Sequence, residues 1–408
     1  VTGTPQLTLE TGGSDAVVDY SSGTGSNTLT FNYTIGSGET SSDLDYKATS
    51  SLALNGGTIR DAALNNATLT LASPGATNSL GDNKALIVDG AIPTIVSAVT
   101  GDHNADGTVD RLVLTFSEQV DLTNVDNNNF TLTESAGGNP TIASSGVGNN
   151  KYSANNATSI TFNLAGVTAN NTSLTISPNY DDATGTIIDN AGNEMSFSET
   201  VSGTDGAGPG IIAAVTSDAD ADGKIDQIDL TFSENVDDSQ GSDLASNSVT
   251  LGSSYSVSSI NTGASSDDAQ LRVVVTEVGG NNYDTELTPT VTLVQSKIAD
   301  GLNNQATTNQ GAFTPSDGAA PVIVSTSFAD TNGNGSVDRA TLTFSERINV
   351  TDGNAGDGFG AIVINDGSAV TIDNANYAGS EIDGSGNSTL ALNFTGDEIS
   401  GSNISSST

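Results

Sequence analysis

Hydrophobic and polar residues alternate along three closely matched stretches, at residues 111–118, 227–234 and 339–346. In each stretch apolar side chains share one parity, and mostly polar or charged side chains stand between them. The apolar positions are Leu112, Leu114, Phe116, Ile228, Leu230, Phe232, Ala340, Leu342 and Phe344. A period of two is that of a β-strand, so each stretch is predicted to be a strand with one buried and one solvated face.

Other runs of β-type sequence occupy much of the remaining chain, and turn-forming residues separate them. These runs lie at 27–35, 67–72, 159–167, 173–178, 271–278, 289–294 and 389–394. Gly, Asn, Ser and Asp dominate the intervening stretches, and these residues favour tight turns over regular structure. About seven strands for every hundred or so residues predict β-sandwiches, with almost no helix.

The three stretches belong to an internal repeat of the chain. Its copies align without a gap: "DHNADGTVDRLVLTFSE" from Asp102, "DADADGKIDQIDLTFSE" from Asp218 and "DTNGNGSVDRATLTFSE" from Asp330. The linkers "DGAIP", "DGAGP" and "DGAAP" end at Pro93, Pro209 and Pro321. The intervals between these prolines are 116 and 112 residues, and each is the length of one small domain. We therefore predict four domains, called the first to fourth segments below: 1–90, 91–206, 207–318 and 319–408.

The end segments differ from the two complete copies of the repeat. The first segment lacks the acidic loop and is predicted to be a divergent subtype, in which "SDLDY" from Ser42 is the acidic feature. The fourth segment stops partway through the repeat, so we expect the chain to be a piece of a longer protein.

Composition narrows the classes of partner. Forty-nine acidic residues against ten Lys and Arg give a formal charge of -39, which repels nucleic acids and anionic membrane surfaces and attracts divalent cations. Cysteine is absent, so disulfides and thiolate metal sites are excluded, whereas metal sites with oxygen ligands remain available. Low hydrophobicity and high charge also occur in disordered chains, but the strand alternation stays in register with the repeat, and this favours a folded protein. No apolar run is long enough to span a bilayer.

The start of each repeat places oxygen-bearing side chains at positions 1, 3, 5 and 9, with Gly at position 6. Calcium binds six to eight oxygens, and Gly at position 6 allows a sharp turn that brings in the carbonyl of position 7. The candidate ligands are Asp102, Asn104, Asp106, Thr108 and Asp110; Asp218, Asp220, Asp222, Lys224 and Asp226; and Asp330, Asn332, Asn334, Ser336 and Asp338. The second loop has the most carboxylates and is predicted to bind calcium most tightly, and the third most weakly. The alternative is that these residues only form turns.

A second set of acidic residues is predicted to lie near the linkers. Each copy of "LTFSE" ends in a Glu that shares parity with the buried positions, where an unpaired carboxylate is costly. A D-x-x-x-N motif recurs as Asp61/Asn65, Asp189/Asn193 and Asp300/Asn304. We expect three interdomain calcium sites, formed by Asp89, Glu118, Asp189 and Asn193; by Asp205, Glu234, Asp300 and Asn304; and by Asp317 and Glu346. The alternative is an ordinary turn in which the side chains bond to the backbone.

The sequence offers little for catalysis, and we expect no enzyme activity. His103 is the only histidine, and with cysteine absent neither Ser/His nor Cys/His machinery can form. Tryptophan, the usual apolar platform for sugars, is also absent, which leaves paired carboxylates without a glycosidase cleft. Nucleotide-binding glycine motifs between a strand and a helix do not occur.

The acidic loop followed by "LTFSE", the linkers, and "IIDNAGN" from Ile187 together resemble tandem immunoglobulin-like repeats of very large prokaryotic surface proteins. The resemblance covers residues 91–408 and, less strictly, 1–90; the amide-rich third loop and "RDAALNNA" from Arg60 depart from the pattern. It implies an all-β fold of tandem immunoglobulin-like β-sandwich domains in an elongated array, bound calcium and a place outside the cell. Such families include adhesins and surface-layer proteins.

This resemblance and the acidic loops lead to one expected function and two alternatives. The leading expectation is a calcium-stabilised adhesive or structural stalk. The first alternative is a self-assembling surface-layer or filament subunit, and the second is a set of accessory modules of a secreted polysaccharide-degrading enzyme. The expected partners are calcium and, beyond it, further copies of the protein or extracellular ligands.

Overall fold

The computed structural model describes residues 1–143, 152–181, 186–238, 244–252, 255–277, 279–280, 282–283, 285–294, 297–306, 310–348, 387–393 and 399–400. Its contacts group the chain into two compact units. The first comprises Val1–Val99, Arg111–Val167 and Thr175–Thr204, and the second comprises Thr100–Asp110, Thr168–Leu174 and Asp205–Thr408. The fold is all-β, as the alternation predicted, and its strands pair antiparallel except for one short parallel pair, in which Gly203 and Thr204 lie beside Ala98 and Val99. Among the described residues, no helix is long and apolar enough to cross a membrane.

The first segment forms one four-stranded sheet, one strand pair and a single turn of helix. Its elements are β1 Gln6–Leu9, β2 Ala16–Ser22, β3 Thr30–Phe31, β4 Thr40–Ser41, β5 Leu52–Ala53, α1 Leu80–Asn83 and β6 Val88–Asp89. The sheet has the order β3-β2-β1-β5, and β4 pairs with β6. A small core lies between them, formed by Leu9, Val18, Leu44, Tyr46 and Val88.

Of the two strands predicted in the first segment, the one at 27–35 is too long and the one at 67–72 is wrong. Only β3 forms within 27–35, and residues 67–72 form no strand. The amides of Ala67 and Leu71 donate to carbonyls of two separate stretches, at Ile59 and Thr49. Alternation alone does not make a strand, because a strand needs one neighbour that stays in register along its length.

The second segment consists of two facing sheets. Its strands are β7 Ile95–Gly101, β8 Arg111–Val125, β9 Phe130–Glu134, β10 Thr141–Ile142, β11 Tyr152–Ala165, β12 Ile176–Tyr180, β13 Thr186–Asp189, β14 Glu199–Thr200 and β15 Gly203–Thr204. One sheet has the order β10-β11-β8-β7-β15, with β13 also paired to β8, and the other has the order β14-β12-β9. Phe130 of the smaller sheet packs on Phe162 of the larger one, with ring centroids 5.5 Å apart. The two sheets therefore form a sandwich.

The third segment repeats this arrangement. It contains β16 Ile211–Ser217, β17 Gln227–Phe232, a 3-10 turn at Ser246–Ser248, β18 Val249–Leu251, β19 Ser256–Thr262, β20 Gln270–Thr276 and β21 Val291–Leu293. The sheets have the orders β16-β17-β20-β19 and β18-β21. Both contribute to one core, in which Ile228, Leu230 and Phe232 of the predicted buried face lie with Val249 and Val291 of the other sheet.

The described part of the fourth segment shows the same first sheet. Its strands are β22 Ile323–Ala329, β23 Ser336–Val337, β24 Arg339–Ile348, β25 Asn387–Asn393 and β26 Ile399–Ser400, in the orders β22-β24-β25 and β23-β26. Ala340 is buried, while Leu342 and Phe344 are half-buried. Residues 349–386, 394–398 and 401–408 lie outside the described residues, so the complete fourth sandwich and the four-domain division stay predictions.

Candidate metal sites

The three acidic loops share one backbone conformation, which their own side chains hold. The Asp at position 1 accepts a hydrogen bond from the Gly amide at position 6 at 2.8 Å in every copy. The amides of positions 5 and 7 donate to the side-chain oxygens of positions 3 and 5, over 2.8 to 3.2 Å. The amide of position 2 donates to the Asp at position 9, over 2.7 to 3.0 Å. These side chains therefore form the turns of the loop, and the same side chains carry the oxygens that a cation would need.

Two positions in each loop have the left-handed backbone conformation. Gly at position 6 was predicted to turn, and its φ is 84° to 93° in the three copies. Position 4 also has positive φ, at Ala105, Ala221 and Gly333. Positive φ at the two alanines could not be predicted from the sequence, because a residue with a Cβ rarely adopts this conformation.

The first loop contains a buried carboxylate oxygen that no described residue satisfies. Asp102 is 7% exposed, and its Oδ1 has no hydrogen-bond partner among the described residues, while Oδ2 accepts the Gly107 amide. Burial, with smaller effects from the charges of Asp106 and Asp110, raises the pKa of Asp102. A desolvated oxygen of this kind is costly unless a cation or a proton satisfies it.

The second loop brings the most carboxylates together. Asp218, Asp220 and Asp226 each offer an oxygen, and these oxygens lie within 4.8 Å of one another. Burial is the main cause that raises the pKa of Asp226, and the charges of Asp220 and Asp218 add to it. The third loop is different, because hydrogen bonds from Thr331 hold the pKa of Asp338 below its ordinary value. An ionised Asp338 is thus stabilised by the chain itself.

A lysine and a glutamate lie beside the carboxylates on the outer side of the second loop. Lys224 Nζ lies 3.3 Å from Asp222 Oδ2 and 3.4 Å from Glu277 Oε2. Oxygens of Asp220, Asp222 and Glu277 also lie within 4.8 Å of one another. Glu277 comes from the end of the predicted strand at 271–278 and was not among the predicted ligands. The Lys224 ammonium therefore already supplies positive charge to this outer group.

The linker before the second segment carries the first acidic cluster, named here the Asp89 cluster. Oxygens of Asp89, Glu118 and Asp189 lie within 4.8 Å of one another. Burial and the neighbouring charges of Asp89 and Asp189 raise the pKa of Glu118. The cluster contains three of the four residues predicted for this site.

The linker before the third segment carries the equivalent group, the Asp205 cluster. Oxygens of Asp205, Glu234 and Asp300 lie within 4.8 Å of one another, and Glu234 and Asp300 are only 7% and 4% exposed. Burial raises the pKa of Glu234 to about 8, opposed by a hydrogen bond from Thr172 and increased by the charges of Asp205 and Asp300. Burial likewise raises the pKa of Asp205 to about 6. Among the described residues, no lysine or arginine pairs with these carboxylates.

The asparagines of the D-x-x-x-N motif hold the clusters in place. Asn193 donates from its backbone amide to Asp189 Oδ1 at 2.8 Å and from Nδ2 to Asp189 Oδ2 at 2.7 Å. Asn304 makes the same two bonds to Asp300, at 2.7 and 2.8 Å. The alternative prediction of an ordinary turn therefore holds together with the cluster, and each asparagine orients its aspartate through its backbone amide and its Nδ2.

At the third linker the structure brings Asp317 and Glu346 together. Burial raises the pKa of Glu346 to about 7, and the charge of Asp317 adds to this effect. Glu346 is 8% exposed, and within the part of the chain that the structure describes its Oε1 has no hydrogen-bond partner. The predicted pair is therefore adjacent.

Sequence reasoning missed the hydroxyls around these clusters. The Ser of each "LTFSE" accepts the backbone amide of the residue just before the strand that follows the linker: Ser117 from Thr94, Ser233 from Gly210 and Ser345 from Val322. The recurrence of this Ser in all three copies was the available signal. No such signal marked Thr172, which lies in a loop without a repeated motif.

The arrangement as a whole is suited to binding hard cations. Several acidic groups could each hold a metal ion, and carboxylate oxygens are the ligands that such ions prefer. No protein-family model matches the chain, and comparison with curated proteins likewise finds no match. The chemistry of these residues is therefore the basis for a proposal about function.

Proposed function

We propose that the loops and the clusters bind calcium, and that the chain is the calcium-stabilised repeat region of a large surface protein that acts as an adhesive or structural stalk. The Asp205 cluster carries the proposal. Glu234 and Asp300 are almost fully buried beside Asp205, and no basic side chain among the described residues compensates their charge. A calcium ion would remove the repulsion and satisfy the oxygens together.

The choice of calcium rests on the kind and number of ligands. All of the candidate donors are oxygens, and each loop can offer side-chain oxygens and a carbonyl within a short, turn-rich stretch. Calcium accepts six to eight oxygen ligands with variable geometry, whereas magnesium requires a near-ideal octahedron. Irregular mixtures of Asp, Asn and carbonyl oxygens favour the larger ion.

The role as a stalk rests on the recurrence of the acidic groups. A cluster lies at the linker before the second segment, and equivalent carboxylates recur at the next two linkers. A flexible linker allows the segments that it joins to move, and a cation bound at the linker would restrict that motion. Ordered assembly of the purified protein on addition of calcium would instead favour the alternative of a surface-layer or filament subunit.

The test compares thermal unfolding of the full chain in calcium and in chelator. A ligand that binds only the folded state stabilises it by RT ln(1 + [L]/Kd), or about 2.7 kcal/mol at a hundredfold excess over Kd. We expect calcium to raise the Tm and Glu234→Gln to reduce that increase. Glu194→Gln is the charge-matched control, because Glu194 is exposed and lies outside the clusters.

Two results would contradict the proposal. The first is a Tm that is equal in calcium and in chelator. The second is a calcium-dependent increase that Glu234→Gln leaves unchanged. Titration calorimetry on the same variants then counts the ions bound.

A further inference from the structure

A chain of hydroxyl groups ends at the most buried carboxylate of the Asp205 cluster. The Thr172 hydroxyl lies 2.7 Å from Glu234 Oε1 and 2.6 Å from Ser233 Oγ, and Ser233 Oγ accepts the Gly210 amide at 3.0 Å. A hydroxyl has one proton to donate, and a carboxylate can only accept. Thr172 therefore donates to Glu234, and Ser233 donates to Thr172. The direction of donation stabilises ionised Glu234.

The same threonine is tied to the first acidic loop. Thr108, the position-7 residue of that loop, accepts the Asn170 amide on its hydroxyl at 3.1 Å and forms a backbone bridge with Asn171. Thr172 follows directly in the chain. The conformation of the loop at position 7 thus sets where the Thr172 hydroxyl lies.

A second contact joins the first acidic loop to Ser233, the serine in the chain of hydroxyl groups. A methyl group added to Gly107 would lie 2.5 Å from Ile212 Cγ2 and 3.2 Å from Ser233 Cβ. Position 6 of the loop therefore packs directly on the residue before Glu234. Closely packed contacts of this kind transmit displacement rather than absorb it.

The pattern recurs one repeat later. Thr285 and Ser345 hydroxyls lie 2.6 Å apart, and Ser345 accepts the Val322 amide at 3.0 Å. A methyl group on Gly223, position 6 of the second loop, would lie 3.2 Å from Ser345 Cβ and 2.9 Å from Val324 Cγ1. The Thr–Ser hydroxyl pair and the contact between Gly and Ser thus occur twice, at equivalent positions of two repeats, which argues against a chance arrangement.

We infer that the first and second loops each bind a cation cooperatively with the acidic residues beside the next linker, with Thr172 and Thr285 as the positioning residues that couple them. A cation in the loop orders the segment that carries the threonine, and the ordered threonine fixes the glutamate for a cation in the cluster. Coupling of this kind is reciprocal, so an ion in the cluster also favours an ion in the loop. The inference rests on the proposed cation sites and adds the coupling between them.

The test uses terbium as the probe, in full-length chains. Because the chain has no tryptophan, Asn235→Trp provides one antenna beside Glu234 at an exposed position. Terbium luminescence excited through that tryptophan reports ions nearby, and Glu234→Gln identifies the part of the signal that comes from the cluster. The loop is emptied with Asp102→Asn and Asp106→Asn together, and circular dichroism verifies that each variant folds.

Emptying the loop should weaken terbium binding at the cluster about fivefold or more, within the usual range of coupling between sites. Thr172→Val should cause the same loss and make the cluster insensitive to the state of the loop, whereas Thr172→Ser, which keeps the hydroxyl, should restore the coupling. Equal affinity of the cluster with the loop intact and emptied would overturn the inference while the cation sites stand. A signal that Glu234→Gln leaves unchanged would overturn both, because no ion would then occupy the cluster.

Discussion

Asn193 donates its side-chain amide to the backbone carbonyl of Asp89, at 3.1 Å and across 104 residues of sequence. The bond joins the linker to the D-x-x-x-N turn, so Asn193 holds two of the three residues of the Asp89 cluster, Asp89 through its backbone carbonyl and Asp189 through its carboxylate. Asn304 repeats the bond to the carbonyl of Asp205, at 3.4 Å. The position of a linker is thus fixed by hydrogen bonds in addition to any cation.

Replacement of Asn193 by alanine tests the contribution of this bond. We expect Asn193→Ala to destabilise the fold by about 1 to 3 kcal/mol, because the buried Asp189 carboxylate and the half-buried Asp89 carbonyl each lose a donor. Asn65→Ala is the matched control, since Asn65 makes the same bonds to Asp61 on an exposed turn. Calorimetric unfolding in chelator should show the larger loss for Asn193→Ala, and equal losses would contradict the role given to the linker bond.

The raised pKa values predict how the metal-free protein responds to pH. The pKa of Glu234 rises from 4.5 to about 8 on folding, and that of Glu346 to about 7. The folded state therefore binds protons more tightly than the unfolded state, and the stability that this provides is lost as the pH rises through the folded-state values. In chelator, the Tm should fall between about pH 5 and pH 8.

Calcium should reverse this trend, because it replaces the proton. Its stabilising effect should increase over the same pH range, and Glu234→Gln should flatten the Tm profile measured in chelator. A metal-free Tm that rises steadily over this range would contradict the burial of uncompensated carboxylates at the linkers.

Local patterns explain why much of the fold and of the candidate sites could be predicted. The strands that carry Leu112, Ile228 and their neighbours follow from alternation, and the loops follow from spacing that repeats three times. The grouping of Asp205 with Glu234 follows from parity along one strand and from the fixed position of the linker. Each of these features depends on a few consecutive residues.

The features that sequence reasoning missed depend on contacts between distant loops. Thr172 meets Glu234 across 62 residues, and Lys224 meets Glu277 across 53. No spacing rule brings such pairs together, because their approach depends on how complete sheets pack. The wrong strand prediction at 67–72 has the same origin, since its pattern was suitable but no stretch of the described residues pairs along it.

The packing of position 6 predicts different effects of one substitution in two loops. Gly107 and Gly335 have φ of 84° and 87°, so alanine is strained at both. Gly107 is closely packed, because an added methyl group would lie 2.5 Å from Ile212, whereas no atom of the described residues lies within 4 Å of a methyl group added to Gly335. We expect both variants to lose about 1 kcal/mol from backbone strain, and Gly107→Ala to lose a further 1 to 3 kcal/mol from overpacking. Similar unfolding temperatures of the two variants in chelator would show that the Gly107 contact contributes little.

Removal of the Lys224 ammonium should strengthen cation binding by the second loop. Lys224 pairs with Asp222 and Glu277, so it supplies charge that a metal ion would otherwise provide. Lys224→Met keeps much of the aliphatic stem and removes the charge, and we expect the calcium affinity of this loop to rise several-fold, because the like-charge repulsion disappears. Lys47→Met is the control, since Lys47 pairs with Glu10 and Asp15, which lie outside the acidic loops. Titration calorimetry at low salt should show a tightened site only in Lys224→Met. A weaker site would instead mean that the lysine holds the loop in its binding conformation.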